Sequence, residues 1–327
     1  MIKINLRGAS LALLAALVAV TVLDELAFAE DNSNKPIVVV VPFPPGGSAD
    51  IVARVISREL ETTLGKQLII ENKPGGDGAV AAVYVANSKP DGNTLFMATY
   101  GAMSAVPAMH QHVDYDVLRD FTPISYTGTF SLFLFVHPSL PVYTIKELIT
   151  YAKAHPGSLN YGTGNTSSIL AMAELSSNEK LEMIHVPYKG EVLAMADFLA
   201  NRIQMMVATP TNASPWVKEG KLRVIVTFQN KRSPLFPDTP TMKESGFKSL
   251  SILPWAGLFG PHDLPKPLAI KLSKAVSIAL ENQNVQAELS KEGFSAAGST
   301  QAQLAKTVKD QLTIWSRAVR AASIPIE

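Results

Sequence analysis

Cysteine is absent from the 327-residue chain, which excludes disulfides, thiolate metal sites and thiol nucleophiles together. An excess of either charge is also missing: 29 basic residues stand against 28 acidic ones, a formal net charge of +1. With no basic run and no zinc-finger or RNA-binding signature, nothing points to nucleic acid. Long apolar runs are lacking beyond the N-terminus. The richest later one, Phe130 to Val136, has the length of a strand and not of a membrane span. Tandem repeats and low-complexity linkers are missing too, so the body does not read as beads on a string.

What the N-terminus does contain is an export signal. Lys3 and Arg7 make a basic start, and Gly8 to Leu23 is uncharged and mostly apolar. Ala27-Phe28-Ala29 then offers small residues where a signal peptidase reads. Cleavage near Ala29 leaves residues 30–327, a length suited to two α/β lobes or one large domain. Exported and disulfide-free, the chain fits a bacterial periplasm better than a eukaryotic secretory route.

The body alternates short β-rich runs with amphipathic segments, the pattern of an α/β fold. Ile37 to Val41 reads as a buried strand, and Val52, Val55, Ile56 and Leu60 share one face of the helix that follows. Gly65 closes that helix. Thr122 to Val136 reads as two strands broken near Gly128, and Thr144 with Glu147 as a capping box. Two helices are expected after Trp255.

Between the first strand and helix lies Pro42-Phe43-Pro44-Pro45-Gly46-Gly47-Ser48-Ala49-Asp50. The prolines stiffen the loop, while Gly46 and Gly47 allow positive φ and close approach of a ligand. Ser48 can cap the helix, and Asp50 can hold the loop by accepting backbone N–H bonds. A helix start with spare N–H groups attracts a carboxylate or phosphate; an ordinary strand-to-helix turn accounts for the loop equally well. Tyr161-Gly162-Thr163-Gly164-Asn165-Thr166-Ser167-Ser168 repeats the arrangement with hydroxyls and an amide, and it too reads alternatively as a capped turn. Two such loops in the two halves of one chain say more than either alone.

Other motifs are poorer. Gly162-x-Gly164-x-x-Ser167 is a dinucleotide fingerprint without its third glycine or acidic partner, and Gly75-Gly76-Asp77-Gly78 lacks the Lys-Ser/Thr of a P-loop. No Gly-x-Ser-x-Gly elbow occurs, and none of the six histidines is placed beside a candidate serine. His110 and His112 do not make a metal site on spacing alone. His137 and His155 precede prolines in turns, and His185 alternates with apolar neighbours in a strand. No catalytic residue, metal or cofactor is expected. Tyr188-Lys189-Gly190, Thr209-Pro210-Thr211-Asn212 and Tyr100-Gly101 all fall at strand ends. In open α/β sheets ligands collect at the carboxyl ends of strands, so these junctions should converge on one cleft. Lys189 is placed to meet a ligand carboxylate, although a lone lysine is ordinarily solvated.

These residues resemble those of the tripartite tricarboxylate transporter substrate-binding proteins, also called the Bug family. The similarity covers essentially the whole mature chain. It includes Val41-Pro42-Phe43, Pro45 to Asp50, Arg54, Glu71-Asn72-Lys73-Pro74-Gly75 and Pro90-Asp91-Gly92-Asn93-Thr94-Leu95. It continues through Tyr115-Asp116, Asp120-Phe121, Asn160-Tyr161-Gly162, Val186-Pro187-Tyr188-Lys189-Gly190, Pro240-Thr241, Glu244, Gly246, Trp255 and Gly257-Leu258.

The resemblance implies a two-lobed periplasmic binding protein, type II-like, closing as a Venus flytrap on a small carboxylate. The expected lobes are 30–137 with 254–327, and 138–253, with crossings near Val136–Pro138 and Leu253–Trp255. It implies that Phe43, Gly47, Ser48, Ala49 and Asp50 face Thr163, Asn165, Thr166 and Ser167, partly through waters; the junction residues Tyr100 and Thr209 are included in the expected ligand site. The implied partners are the membrane subunits of a tripartite tricarboxylate-type transporter, and the chain is expected to be a monomer. Three departures stand out. The second loop is shorter than usual, Ile169 stands near a position that is histidine in many members, and Asn201 replaces a glycine. Dicarboxylates, amino acids and aromatic acids all stay open as ligands; Ile169, with Phe43 and Tyr100, favours a partly apolar or aromatic diacid such as terephthalate over a citrate-like one. The alternatives are an exported hydrolase using Ser48 or Ser167, and a sensor that presents its ligand to a receptor without transport.

Overall fold

The computed structural model describes residues 35–249, 254–322, Ile324 and Ile326. The export signal and Leu253 of the expected return crossing lie outside the described residues.

The apolar runs form two sheets, and the chain visits the first of them twice. β1 (Ile37–Val41), β2 (Leu68–Asn72), β3 (Thr94–Thr99) and β4 (Phe121–Phe130) come first. β5 (Phe133–Val136), β6 (Asn160–Thr163), β7 (Ile184–Pro187), β8 (Met205–Ala208) and β9 (Arg223–Thr227) build the second sheet. β10 (Trp255–Pro261) and β11 (Phe294–Ala296) then return to the first. The strand orders are β2-β1-β3-β10-β4-β11 and β9-β5-β8-β6-β7. β1 runs parallel to β2 and β3, so their carboxyl ends and the loops after them lie on one edge. In the second sheet β6 is likewise parallel to β7 and β8.

Helix α1 (Ser48–Leu64) ends at Gly65, whose φ of 64° is the left-handed cap expected of a glycine there. Val52, Val55, Ile56 and Leu60 are buried against Val39, Val41, Leu272 and Val276, each such burial contributing about 1.5–3 kcal/mol. Helix α2 (Ala79–Ala86) covers the other face of the first sheet. α3 (Ile145–Ala154), α4 (Thr166–Glu179), α5 (Glu191–Leu199) and α6 (Pro210–Lys218) flank the second sheet. α7 (Lys266–Glu281), α8 (Gln283–Lys291) and α9 (Gln301–Ala321) complete the first lobe, one helix more than the sequence suggests after Trp255. Trp315 of α9 is fully buried and stacks on Tyr100, with centroids 5.6 Å apart.

Three local expectations change. The break between β4 and β5 falls at Ser131-Leu132, not near Gly128. Gly128 instead marks a bulge inside β4, where the pairing with β10 slips between Ala256 and Gly257. The chain therefore leaves the first sheet before Val136–Pro138, because β5 bonds to β8 and β9 of the second sheet. A boundary at 137/138 would detach β5 from its partners, and we place it near Ser131. Thr144 does cap α3, but Glu147 reaches past it to the Tyr143 N–H at 2.6 Å, so the box does not close on itself. Asn201 has φ 58°, a left-handed position that asparagine tolerates in place of glycine.

Candidate ligand-binding site

The first half of the site is the Pro/Gly loop leading into α1. Gly46 has φ 79°, and Gly47, not Ser48, occupies the N-cap position with no side chain capping the first turn. The helix start is thus left open on the cleft side, with its N–H groups and positive dipole end available. Asp50 is used beneath the loop. Its Oδ2 accepts from the Gly46 N–H at 3.0 Å and Arg54 Nε at 2.9 Å, and its Oδ1 from Asn72 Nδ2 at 2.9 Å. Burial pushes its acidity one way, but the Arg54, Gly46 and Asn72 bonds prevail and hold the carboxyl below the usual range. Asn72 Nδ2 also donates to the Phe43 carbonyl at 2.9 Å.

The second half differs in kind. The Asn165 side chain caps α4 by accepting from the Ser168 N–H at 2.9 Å, and Ser168 Oγ returns the bond to the Asn165 N–H at 3.3 Å. Thr166 donates both its N–H, at 3.1 Å, and its hydroxyl to Oδ2 of Asp77. Asp77 belongs to the first lobe and sits in a tight turn, Gly76–Gly78, with φ 46°. This helix start is therefore already met by internal acceptors, one of them a carboxylate from the opposite lobe. Burial pushes the Asp77 carboxyl up, and the Thr166 bonds oppose it. The other oxygen, Oδ1, has no partner among the described residues.

Two further bonds join the lobes. Ser48 Oγ lies 2.5 Å from Thr209 Oγ1, and Tyr100 Oη lies 2.8 Å from Ser167 Oγ. The Ser167 proton goes to Asn165 Oδ1 at 2.8 Å, which leaves Tyr100 as the donor in its pair. Burial raises the Tyr100 phenol well above its ordinary range, with Asp77 adding to the effect, so it stays protonated and able to donate.

Around these bonds the cleft divides. One cavity, of about 150 Å³, is lined by Phe43, Gly47, Ser48, Ala49, Tyr100, Asn165, Ser167 and Thr209, all expected from sequence. Phe130, Leu132, Val192, Leu193 and Pro254 make most of the remaining wall apolar. A second compartment, of about 610 Å³, holds Thr163, Thr166, Ile169 and Lys189 beside Asp77. Thr163 and Thr166 are thus set apart from the first cavity, and Asp50 from both spaces. Thr163 spends its hydroxyl on His185 Nε2 at 2.6 Å, and His185 stacks on Tyr161, centroids 5.0 Å apart. Burial holds that imidazole below its ordinary pKa.

Glu191 is the member of the wall that sequence reasoning missed. It opens α5, one residue past the Tyr188-Lys189-Gly190 motif. Its carboxylate accepts from the Thr209 N–H at 3.2 Å, Thr209 Oγ1 at 2.5 Å and Asn165 Nδ2 at 2.9 Å. Since the Thr209 proton goes to Glu191, the Ser48 hydroxyl must donate to Thr209 Oγ1. The relay runs Ser48 to Thr209 to Glu191 across the lobes. Burial pushes the Glu191 carboxyl up, and Thr209 and Asn165 oppose it. Asn212 also favours the ionised form, though its Nδ2 meets no acceptor at hydrogen-bond geometry. Thr99 Oγ1 in the same wall is likewise without a partner among the described residues. An acidic residue in the first helical turn directly after a flagged loop was the available signal.

Neither candidate nucleophile has the partner that a hydrolase needs. Ser48 bonds to Thr209, and Ser167 to Tyr100 and Asn165; neither meets a histidine among the described residues.

Two sheets joined by crossings, with side chains of both lobes closing on one cavity, define a two-lobed, type II-like periplasmic solute-binding protein. Residues 52–324 match the family model described as tripartite tricarboxylate transporter family receptor, and the chain belongs to that family. It is 33% identical over 316 residues to the UPF0065 protein in the gbd 5' region of Cupriavidus necator, covering 94% of each chain. Among solved structures it is similar to R. palustris Rpa4515 with adipate, at 27% identity and TM-score 0.85 over 89% of this chain and 98% of that one. MatC from Rhodopseudomonas palustris with bound malate matches at 31% identity and TM-score 0.80, over 87% and 99% of the two chains.

Proposed function

We propose that this protein captures a small carboxylate on a partly apolar body and delivers it to the membrane subunits of a tripartite tricarboxylate-type transporter. The observation that carries this reading is the open N-terminus of α1 facing a mostly apolar cavity that both lobes complete. Helix-start N–H groups suit a carboxylate. Phe43, Tyr100, Phe130 and Leu132 suit the apolar body. Ile169, the residue that favoured terephthalate from sequence, lines the second compartment and lends that choice no support. The adipate and malate of the two neighbours make organic acids the ligand class to try first.

The unbonded Thr99 Oγ1 and Asn212 Nδ2 supply donors for the ligand. Affinity depends on closure, since the two half-sites coexist only when the lobes meet. A thermal-shift screen of aliphatic and aromatic mono- and diacids tests the reading. An acid present at about 100 times its Kd should raise Tm by on the order of 5 °C. If no carboxylate raises it, the reading fails.

A further inference from the structure

Among the described residues this cavity is lined by one carboxylate, Glu191, and by no lysine, arginine or histidine. The Glu191 oxygens accept from a backbone N–H, a side-chain amide and a hydroxyl. The amide and the N–H can only donate, and the Thr209 hydroxyl has the Ser48 hydroxyl behind it. This donor set favours the ionised form and works against the burial that pushes the Glu191 carboxyl up. Among the described residues no cation in this wall balances it. A second carboxylate entering the same cavity would meet like charge in an apolar surround, where repulsion is strong. A ligand ammonium would meet a preorganised acceptor. At the α1 start the polarity is opposite: the open N–H groups are donors, and Thr99 Oγ1 in the same wall has no partner among the described residues. The cavity therefore presents donors for an anion and an acceptor for a cation, with Phe43, Phe130 and Leu132 in its apolar wall.

Building on the carboxylate-binding reading, we propose that Glu191 makes this cavity select a zwitterionic acid, one carboxylate and one ammonium on an apolar body, over a dianion. The lobes would share the ligand's two charges. The first holds the carboxylate at the start of α1. The second, through Glu191 braced by Thr209 and Asn165, holds the ammonium. Asn165 and Thr209, expected to be direct carboxylate donors, become the groups that orient Glu191.

Calorimetry with matched ligands on the full mature chain tests this at pH 7. The pairs are leucine with 4-methylpentanoate and phenylalanine with 3-phenylpropanoate, which differ only in the amino group; adipate and terephthalate serve as dianions. We expect at least one amino acid to bind roughly tenfold or more tighter than its deaminated partner and than either diacid. In Glu191→Gln, which keeps the side chain's shape, that advantage should fall by roughly 10- to 100-fold. Deaminated acids or diacids binding the wild-type protein as tightly as the amino acids would overturn the proposal while leaving the carboxylate reading intact. An advantage that survives in a folded Glu191→Gln protein would also overturn it. If no acid binds at all, both readings fall. Should the variant not fold, the wild-type pairs decide alone.

Discussion

Asp50 shows how one side chain can belong to a binding loop without touching its contents. All of its bonds go inward, to Gly46, Arg54 and Asn72. Its pKa is depressed in the folded state. The stability it contributes is therefore fully present above the ordinary carboxylate range and is lost as pH falls through the lower folded value. Asp50→Asn should cost about 1–3 kcal/mol at neutral pH. The Arg54 share is discounted because that side chain is half exposed to solvent. Chemical denaturation at pH 7 and at pH 3 should show the gap between wild type and variant narrowing in acid. A gap that stays constant would mean the carboxylate is not held ionised by these bonds. Thr209 makes the complementary case at the cleft. Thr209→Val removes the hydroxyl between Ser48 and Glu191 with little change of shape, and ligand affinity should fall roughly tenfold, read by calorimetry with the strongest ligand from the acid screen.

Among elements, the sharpest constraint is the close approach of the β6–α4 loop to the start of α5. A Cβ placed on Gly164 would lie 2.4 Å from the Glu191 N and 2.6 Å from the Gly190 carbonyl carbon, both backbone atoms that cannot step aside. Gly164→Ala must push the two loops apart, and with them Asn165 and Glu191. It should lower Tm and abolish detectable ligand binding, at a stability cost of about 1–3 kcal/mol; unchanged binding would show that the loops tolerate a wider gap. Gly128 carries a different constraint. With φ 148° and a Cβ position 2.3 Å from the Ser295 carbonyl, it lets β11 pair against the bulge in β4.

At the scale of the whole molecule, the described form is closed, with Ser48 to Thr209, Tyr100 to Ser167 and Asp77 to Thr166 bonded across the cleft. The cysteine-free sequence makes closure directly measurable. In a Ser48→Cys/Thr209→Cys protein no other thiol competes, and the 2.5 Å between the native oxygens puts the two sulfurs within reach of a bond. Oxidation should give a faster-migrating species on a non-reducing gel and block ligand entry until a reductant is added. Failure to cross-link, with the variant folded, would argue that the lobes do not meet this way in solution.

Much of the fold was legible because strand-to-helix transitions write themselves locally. The apolar runs at Val38–Val41 and in β8 and the glycine at 65 each depend on near neighbours. The two facing loops were legible for the same reason, and so were Phe43, Ser48, Tyr100, Asn165, Ser167 and Thr209. The change of sheets at Ser131-Leu132 was not, since it depends on which distant strands β5 pairs with. Glu191 carried no signal of its own beside the Tyr188-Lys189-Gly190 motif, and Ile169 looked like a wall of the binding space. The sequence by itself determined the α/β class, the pair of loops and the family, because these rest on local order and motif spacing. Only the tertiary structure decided that Asp50 faces inward, that Asp77 occupies the second helix start, and that Glu191 shares a cavity with the first. Each of those outcomes depends on which groups, far apart in the chain, reach a buried hydrogen-bonding position.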